Sequence, residues 1–382
     1  MPLCSTDDQT LHEKAVDNAN HIEAIRFFWG SKRLRMPVMN ERQPLRPESV
    51  RPTLKTIAEA TGFAVATVSR ALKDAPDISQ QTKRRVREAA ERLGYSQNRA
   101  AVRLRTGKTN VIALVLSTET DVMNHTSKLI YSIAGALRGT SYHMVIMPFF
   151  PDQDPLEPVR YIVETESADG IIINQTKPDD SRIRYMIDRG IPFATHGRSD
   201  MGVNHPYFDY DNEAYGRLAV GALADRGRKR IYMIAPPRAQ MYARHMVMGA
   251  SQMAAERGLS LELADHFSSD SSAAEVEVAI ANRMGAVDRP DGFISGSTTA
   301  AMGAVAGAES CGLKIGRDFD LASKEAISFL HRFRPEIIVG TEDVARAGHF
   351  VARAVMAAIE GRAPEQSQAL QIPTLSDFKT GL

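Results

Sequence analysis

Val65, Ala66, Thr67, Ser69 and Arg70 point outward from a short segment whose Val68, Ala71 and Leu72 keep the helical i, i+3, i+4 spacing. Arginine offers two parallel N–H groups that match guanine O6 and N7, small apolar side chains meet a thymine methyl, and hydroxyls bond phosphate oxygens. Ahead of this segment Leu54, Ile57 and Ala58 repeat the same spacing, and Gly62 allows a sharp turn between the two. Helices joined by so short a turn cross steeply and leave the second one exposed, a shape that fits a DNA major groove. A solvated helix face is the plain alternative.

A second set of polar residues could hold a small molecule. Ser117 with Asn124 and His125 beyond it, His196 and Arg198, Asp209, Ser297, and the pair Lys324-Glu325 each follow a short apolar run. Taken singly, each reads as a surface loop residue. Their recurrence at the carboxyl ends of strands, where doubly wound folds place ligands, makes them effector-binding candidates. Catalytic signatures are missing: there is no Gly-x-Gly-x-x-Gly after the first strand, no phosphate loop, no nucleophile elbow and no His/Cys cluster with metal-ligand spacing. The expectation is binding without catalysis, with no cofactor and no metal. Ser295-Gly-Ser-Thr-Thr-Ala300 could hold an anion at a helix entrance but carries no catalytic signature.

The elements that position these residues are legible as alternating runs. Val111–Leu116, Met144–Met147, Gly170–Ile173, Pro192–Thr195, Ile231–Ala235, Gly292–Ser295 and Glu336–Val339 read as buried strands, with helical stretches such as Lys128–Arg138, Asn212–Arg226, Val247–Arg257 and Val344–Glu360 between them. Such alternation predicts parallel sheets covered on both faces, and about 260 residues of it predict two doubly wound lobes. The 382 residues, 43% hydrophobic and 24% charged, suit a soluble chain of two or three domains. Residues 51–108 carry 13 Lys or Arg against 5 Asp or Glu, which leaves 34 against 41 elsewhere. Positive charge therefore sits where phosphate would be met. Two distant cysteines, Cys4 and Cys311, the lack of an apolar leader and the lack of any membrane-length apolar run point to the cytoplasm, with no membrane partner.

Leu54 to Leu72, with Asp77-Ile-Ser-Gln-Gln-Thr-Lys-Arg-Arg-Val86, Arg92-Leu-Gly-Tyr95 and Asn98-Arg-Ala-Ala-Val-Arg-Leu104, closely resembles the headpiece and hinge of the lactose-repressor (LacI) family of bacterial transcription regulators. The resemblance implies an all-α helix-turn-helix headpiece followed by an α/β core of two periplasmic-binding-protein-like lobes. It further implies a repressor that binds a double-stranded DNA operator as a homodimer and responds to a small-molecule, carbohydrate-like effector. The expected divisions are an extension at residues 1–50 read as disordered, a DNA-binding domain at 51–97, a hinge at 98–108 and an effector-binding and dimerisation domain at 109–382. Met36 and Met39 offer later starts.

Thr53 can cap the first helix and Ser79 the third. Thr53 counts among the DNA-binding candidates, as do Thr67, Ser69 and Tyr95 for phosphate contacts. Asn98 to Arg105 is too short to fold alone; in the family this hinge folds on the operator, which makes Asn98 its cap and Leu104 a minor-groove wedge. The basic run Lys83-Arg84-Arg85 with Arg87 reads as a wet helix face. Departures from the family pattern are Ala64 for a capping Ser, Gln97 for a Pro, Met246 for an Arg three residues before Gly249, and Lys324-Glu325 for a Tyr-Asp pair. Arg244 or His245 could substitute for the missing Arg. Two rival readings are a family regulator controlled by a protein partner, and an exported solute-binding protein, which would need a signal peptide and has no use for a headpiece.

Overall fold

The computed structural model describes residues 52–95, 103–104, 106–118 and 123–379. The extension read as disordered and most of the hinge, Asn98 included, lie outside the described residues. The chain divides between Gln97 and Asn98 into two compact units.

In the first unit α1 (Leu54–Thr61), α2 (Val65–Leu72) and α3 (Gln80–Arg92) surround a core of Ile57, Val68, Ala71, Val86 and Ala89. Thr53 and Thr56 form a reciprocal capping box at the start of α1, and Gly62 ends it in the left-handed region at φ 73°. Only glycine adopts that conformation without strain, so the turn is set by Gly62. Ser79 caps α3 through Thr82 N. Ala64 gives α2 no side-chain cap, which costs about 1 kcal/mol that the shared core offsets. The basic run is a wet face as expected at Arg84, Arg85 and Arg87, which are exposed, but not at Lys83. Lys83 is 4% exposed and holds the Asp74 carboxylate at 3.0 Å, Arg87 reaches the same oxygen at 3.0 Å, and Arg85 lies 5.0 Å over the Phe63 ring. Lys83 and Arg87 hold α3 against the turn that precedes it, and Arg85 holds it against the turn between α1 and α2.

The second unit is two-lobed. The first lobe takes β1 (Val111–Ser117), α4 (Met123–Leu137), β2 (His143–Phe149), α5 (Leu156–Glu164), β3 (Gly170–Ile173), α6 (Ser181–Asp188), β4 (Phe193–His196) and β5 (Tyr207–Tyr210). The second takes α7 (Asn212–Asp225), β6 (Arg230–Ile234), α8 (Met241–Arg257), β7 (Ser260–Leu263), α9 (Ala273–Met284), β8 (Gly292–Ser295), α10 (Thr298–Ser310), β9 (Asp320–Glu325), α11 (Leu330–Phe333) and β10 (Ile338–Thr341). The chain then returns: α12 (Val344–Ile359) and β11 (Gln368–Gln371) complete the first lobe, and β12 (Phe378–Lys379) completes the second. The sheet orders are β11-β5-β4-β3-β1-β2 and β12-β10-β9-β8-β6-β7, parallel throughout except for β12 against β10.

Both sheet faces are buried, which is why the strands read as unbroken apolar runs. Ile112, Leu114 and Leu116 of β1 pack with residues of α4 and α12, while Ala113 and Val115 pack on the other side with residues of α5 and α6. In the second lobe Tyr232 and Ile234 meet α9 and α10, whereas Ile231 and Met233 meet α7 and α8. Helices α7 and α8 approach so closely that a Cβ on Gly249 would stand 2.0 Å from Glu213 O, and one on Gly216 2.3 Å from Met246 O. This crossing fixes the rotation of α8. Met246 is thereby turned into the core, and Tyr242, one turn earlier, is turned toward the space between the lobes.

Candidate functional site

On α2 the exposed face carries Val65, which is 45% exposed, with Ala66 and Arg70, while Thr67 and Ser69 are half-buried. Val68 and Ala71 anchor the opposite face in the headpiece core. Arg70 is paired with Asp77 beyond the end of the helix. Both partners are about half exposed, a setting in which an ion pair contributes only about 0–1 kcal/mol, so the guanidinium can be released to another acceptor at little cost. Tyr95 leans on the headpiece core, and burial raises its hydroxyl pKa. The Thr53 hydroxyl serves the capping box. In the second unit Arg103 donates to Thr165 O at 3.1 Å and lies 3.5 Å from Glu166, tying this part of the hinge to the end of α5. Leu104 beside it is 90% exposed.

The lobes enclose a cavity of about 130 Å³ at the carboxyl ends of both sheets, the place where folds of this kind bind small molecules. His125, His196, Asp209, Ser297, Lys324 and Glu325 from the sequence candidates line it. Its most connected wall is built around Glu342, between β10 and α12, a residue that sequence reasoning passed over. Its carboxylate is 2% exposed and lies 2.8 Å from Lys324 Nζ, 3.3 Å from His125 Nε2 and 3.6 Å from His196 Nε2. Burial alone would raise its pKa, but the Lys324 ammonium and then His125 outweigh it and hold the group well below the ordinary glutamate value. Lys324 Nζ also donates to Asn212 Oδ1 at 3.1 Å and stands 5.2 Å and 5.6 Å over the rings of Tyr210 and Tyr242.

Asp209, the third residue of β5, shows the opposite shift. Burial pushes its carboxyl up to about 6 despite the charges of Arg198 and His196, and Glu342 adds to the rise. Arg198 does not line the cavity; it grips Asp209 from behind at 3.0 Å. Glu325 lines the cavity with one oxygen tied to the fold, Oε2 accepting from Phe329 N at 3.1 Å and Leu330 N at 3.0 Å, while Oε1 is buried without a hydrogen bond among the described residues. Ser297 caps α10 by accepting from Ala300 N, and donates to Ser269 O at 2.7 Å.

Of the remaining candidates, Ser117 and Arg244 fall elsewhere and one is not described. Ser117 is buried at the end of β1 and does not line the cavity. Asn124 lies on α4, but its side chain is outside the described set. Arg244 reaches Asp200 at 4.0 Å on a separate groove that His245 also lines, so neither supplies the group expected in place of the missing Arg. Tyr242, one turn before Met246, is the residue of α8 that lines the cavity. Besides Tyr242 and Glu342, the cavity takes Asn174, Thr176 and Asn212, all polar groups on loops after strands or at helix starts.

The two lobes touch across this cavity. Met241 N at the head of α8 donates to Thr176 O at 2.8 Å, and Lys128 Nζ of α4 donates to Ala326 O at 2.7 Å. The arrangement can bind a polar molecule on several sides at once. Among the described residues no helix is long and apolar enough to cross a membrane.

Comparison with known proteins places both units. Residues 53–98 match the model of bacterial regulatory proteins of the lacI family, and residues 220–377 match a periplasmic binding protein-like domain. The chain is 30% identical over 328 residues to the HTH-type transcriptional regulator AglR of Rhizobium meliloti (strain 1021), covering 82% of this chain and 90% of that one. To RafR of Escherichia coli it is 35% identical over 192 residues, 50% of this chain and 57% of the other. Among solved structures, the lac repressor dimer bound to operator superimposes with a TM-score of 0.74 at 19% identity, over 87% of this chain and 99% of that one. The CelR–cellobiose complex does so with a TM-score of 0.61 at 20% identity, over 85% and 98%. The headpiece with its exposed recognition helix, the two-sheet core and the likeness to AglR over most of both chains agree: this chain is a DNA-binding transcriptional regulator that belongs to the LacI family.

Proposed function

We propose that the chain is a repressor whose operator affinity is set by a carbohydrate-like molecule held between the lobes, and that it binds and does not transform that molecule. The observation that carries this reading is the cavity wall itself. Lys324, Glu342, Asp209 and Asn212 offer donors and acceptors at fixed points, while Tyr210 and Tyr242 supply aromatic surface, the combination that recognises a polyhydroxylated ring. The sugar-bound state of CelR, whose fold this core shares, supports the same class. Base readout falls to Val65, Ala66 and Arg70, and phosphate contacts to Thr53, Thr67, Ser69 and Tyr95.

A homodimer fits this reading, since two headpieces read a near-palindromic site. Tyr131 of α4 and Val145 and Ile146 of the edge strand β2 leave apolar surface exposed on the first lobe, suited to a second copy. The test is thermal stability of the full chain against a panel of mono-, di- and trisaccharides. A bound effector at 100 times its Kd stabilises by about 2.7 kcal/mol. A panel in which none raises the melting temperature would overturn the carbohydrate reading.

A further inference from the structure

Two histidines and a glutamate, spread over more than 200 residues of sequence, meet on one wall of the interlobe cavity. His125 Nε2 lies 3.3 Å and His196 Nε2 3.6 Å from the same atom, Glu342 Oε1, and the three ligating atoms fall within 4.8 Å of one another. The two imidazole rings are 5.0 Å apart and tilted by 41°. With bonds of about 2.0–2.1 Å, the ligand atoms of a tetrahedral zinc site stand roughly 3.3–3.4 Å apart. The two His–Glu separations are therefore close to edges of such a tetrahedron, and the His–His edge is no longer than 4.8 Å. His196 Nε2 is buried and makes no hydrogen bond of normal length, its acceptor Glu342 Oε1 standing at 3.6 Å. Each ligand comes from a separately braced place: α4, the end of β4, and the crossover between β10 and α12. Lys324 takes the other carboxylate oxygen at 2.8 Å, which orients Glu342 and leaves Oε1 as the donor facing the histidines.

We propose that His125, His196 and Glu342 bind one divalent transition-metal ion of the zinc class, with its fourth position open to the cavity. Two imidazoles and one carboxylate suit Zn²⁺, Co²⁺ or Ni²⁺ and not the oxygen-seeking Mg²⁺ or Ca²⁺. The Lys324 ammonium opposes a dication at this point. Asp209, close enough to interact with both His196 and Glu342, offsets that charge. Water fills the fourth position in the absence of effector. When an effector is present, one of its hydroxyls replaces that water, and this part of the proposal rests on the effector reading above.

The spacing of the ligands hid the site from sequence inspection, where metal clusters are sought as near neighbours. The experiment is titration of the chelator-treated full chain with Zn²⁺ alone by calorimetry, and with Co²⁺ followed by visible absorption. One ion per chain and the intense d–d bands of tetrahedral Co²⁺ are expected. His125→Gln and His196→Gln should each weaken binding by about 100-fold or more, beyond the 10–100-fold that changes behind a ligand produce. The assignment is overturned if wild type binds neither ion, or if both variants bind as wild type does. Saccharide-induced stabilisation measured in chelator keeps the two readings separate: a saccharide that binds while Zn²⁺ does not removes the metal and leaves the effector, and Zn²⁺ bound with no saccharide response does the reverse.

Discussion

Replacing Lys324 by Met removes one charge from the cavity wall while keeping the length of the side chain. In the wild type its ammonium touches Glu342 at 2.8 Å and Asn212 at 3.1 Å between the rings of Tyr210 and Tyr242. Only 12% of the lysine side chain and 3% of the glutamate side chain meet solvent. Breaking a buried pair on one side leaves an uncompensated charge and costs about 3–5 kcal/mol, whereas an exposed pair contributes about 0–1 kcal/mol. At roughly 2 °C per kcal/mol for a unit of this size, Lys324→Met should lower the melting temperature of the core by on the order of 6–10 °C. The double variant Lys324→Met/Glu342→Gln no longer buries a lone carboxylate and should recover most of the loss. Calorimetry of the full chain at neutral pH reads both effects. A single-variant cost below about 1 kcal/mol, or a double variant no better than the single, would refute the reasoning that the wall is a buried and mutually dependent charge set.

Arg70→Ala should lose about 1–3 kcal/mol of discrimination at one base pair per half-site with weak nonspecific binding largely kept, and Asp77→Asn, which frees the guanidinium, should keep the wild-type base preference; selection from random duplexes reads both. Leu104→Ala should reduce operator bending in circular-permutation gels without changing effector affinity, and an unchanged bend would remove the wedge role. The Asp209 carboxyl titrates near 6 in the folded core against an ordinary 3.8, so the folded state holds that proton to higher pH. Its contribution to stability is full below about pH 4 and falls by about 3 kcal/mol as pH rises to 6. Asp209→Asn should erase this component, and the difference between wild-type and variant profiles isolates it from Glu342, whose stabilisation is lost in the opposite direction, as pH falls. Superimposable profiles would show that Asp209 is ordinary.

How far the sequence led depended on whether a residue's surroundings were local. The headpiece could be read closely because Thr53, Gly62 and Ser79 act within a turn of their own helices. Lys83 could not: its burial depends on Asp74, nine residues away in a left-handed turn that composition does not announce. Strands were recognised from their apolar runs, two of them, Gly170–Ile173 and Gly292–Ser295, with both ends, but the ends of the others were not. The run Glu336–Val339 suggested an end at Val339, while the ladder continues to Thr341 opposite Glu325 and delivers Glu342 to the cavity. Tyr242 was hidden for another reason. Helix α8 buries residues on more than one face, Met241, Ala243, His245 and Met246 among them, so periodicity cannot say which side meets the cavity. The tight crossing at Gly216 and Gly249 decides it, and that is a contact between two helices.

The central claim is that occupancy of the interlobe cavity controls DNA binding. The direct measurement is fluorescence anisotropy of the full chain on a duplex selected from a random pool, across a titration with a saccharide that raises its melting temperature. The predicted result is an operator affinity that changes by about 5- to 150-fold as the saccharide saturates, with the midpoint moved to higher concentration in Tyr242→Ala. An operator affinity that stays constant while the saccharide is bound would contradict it.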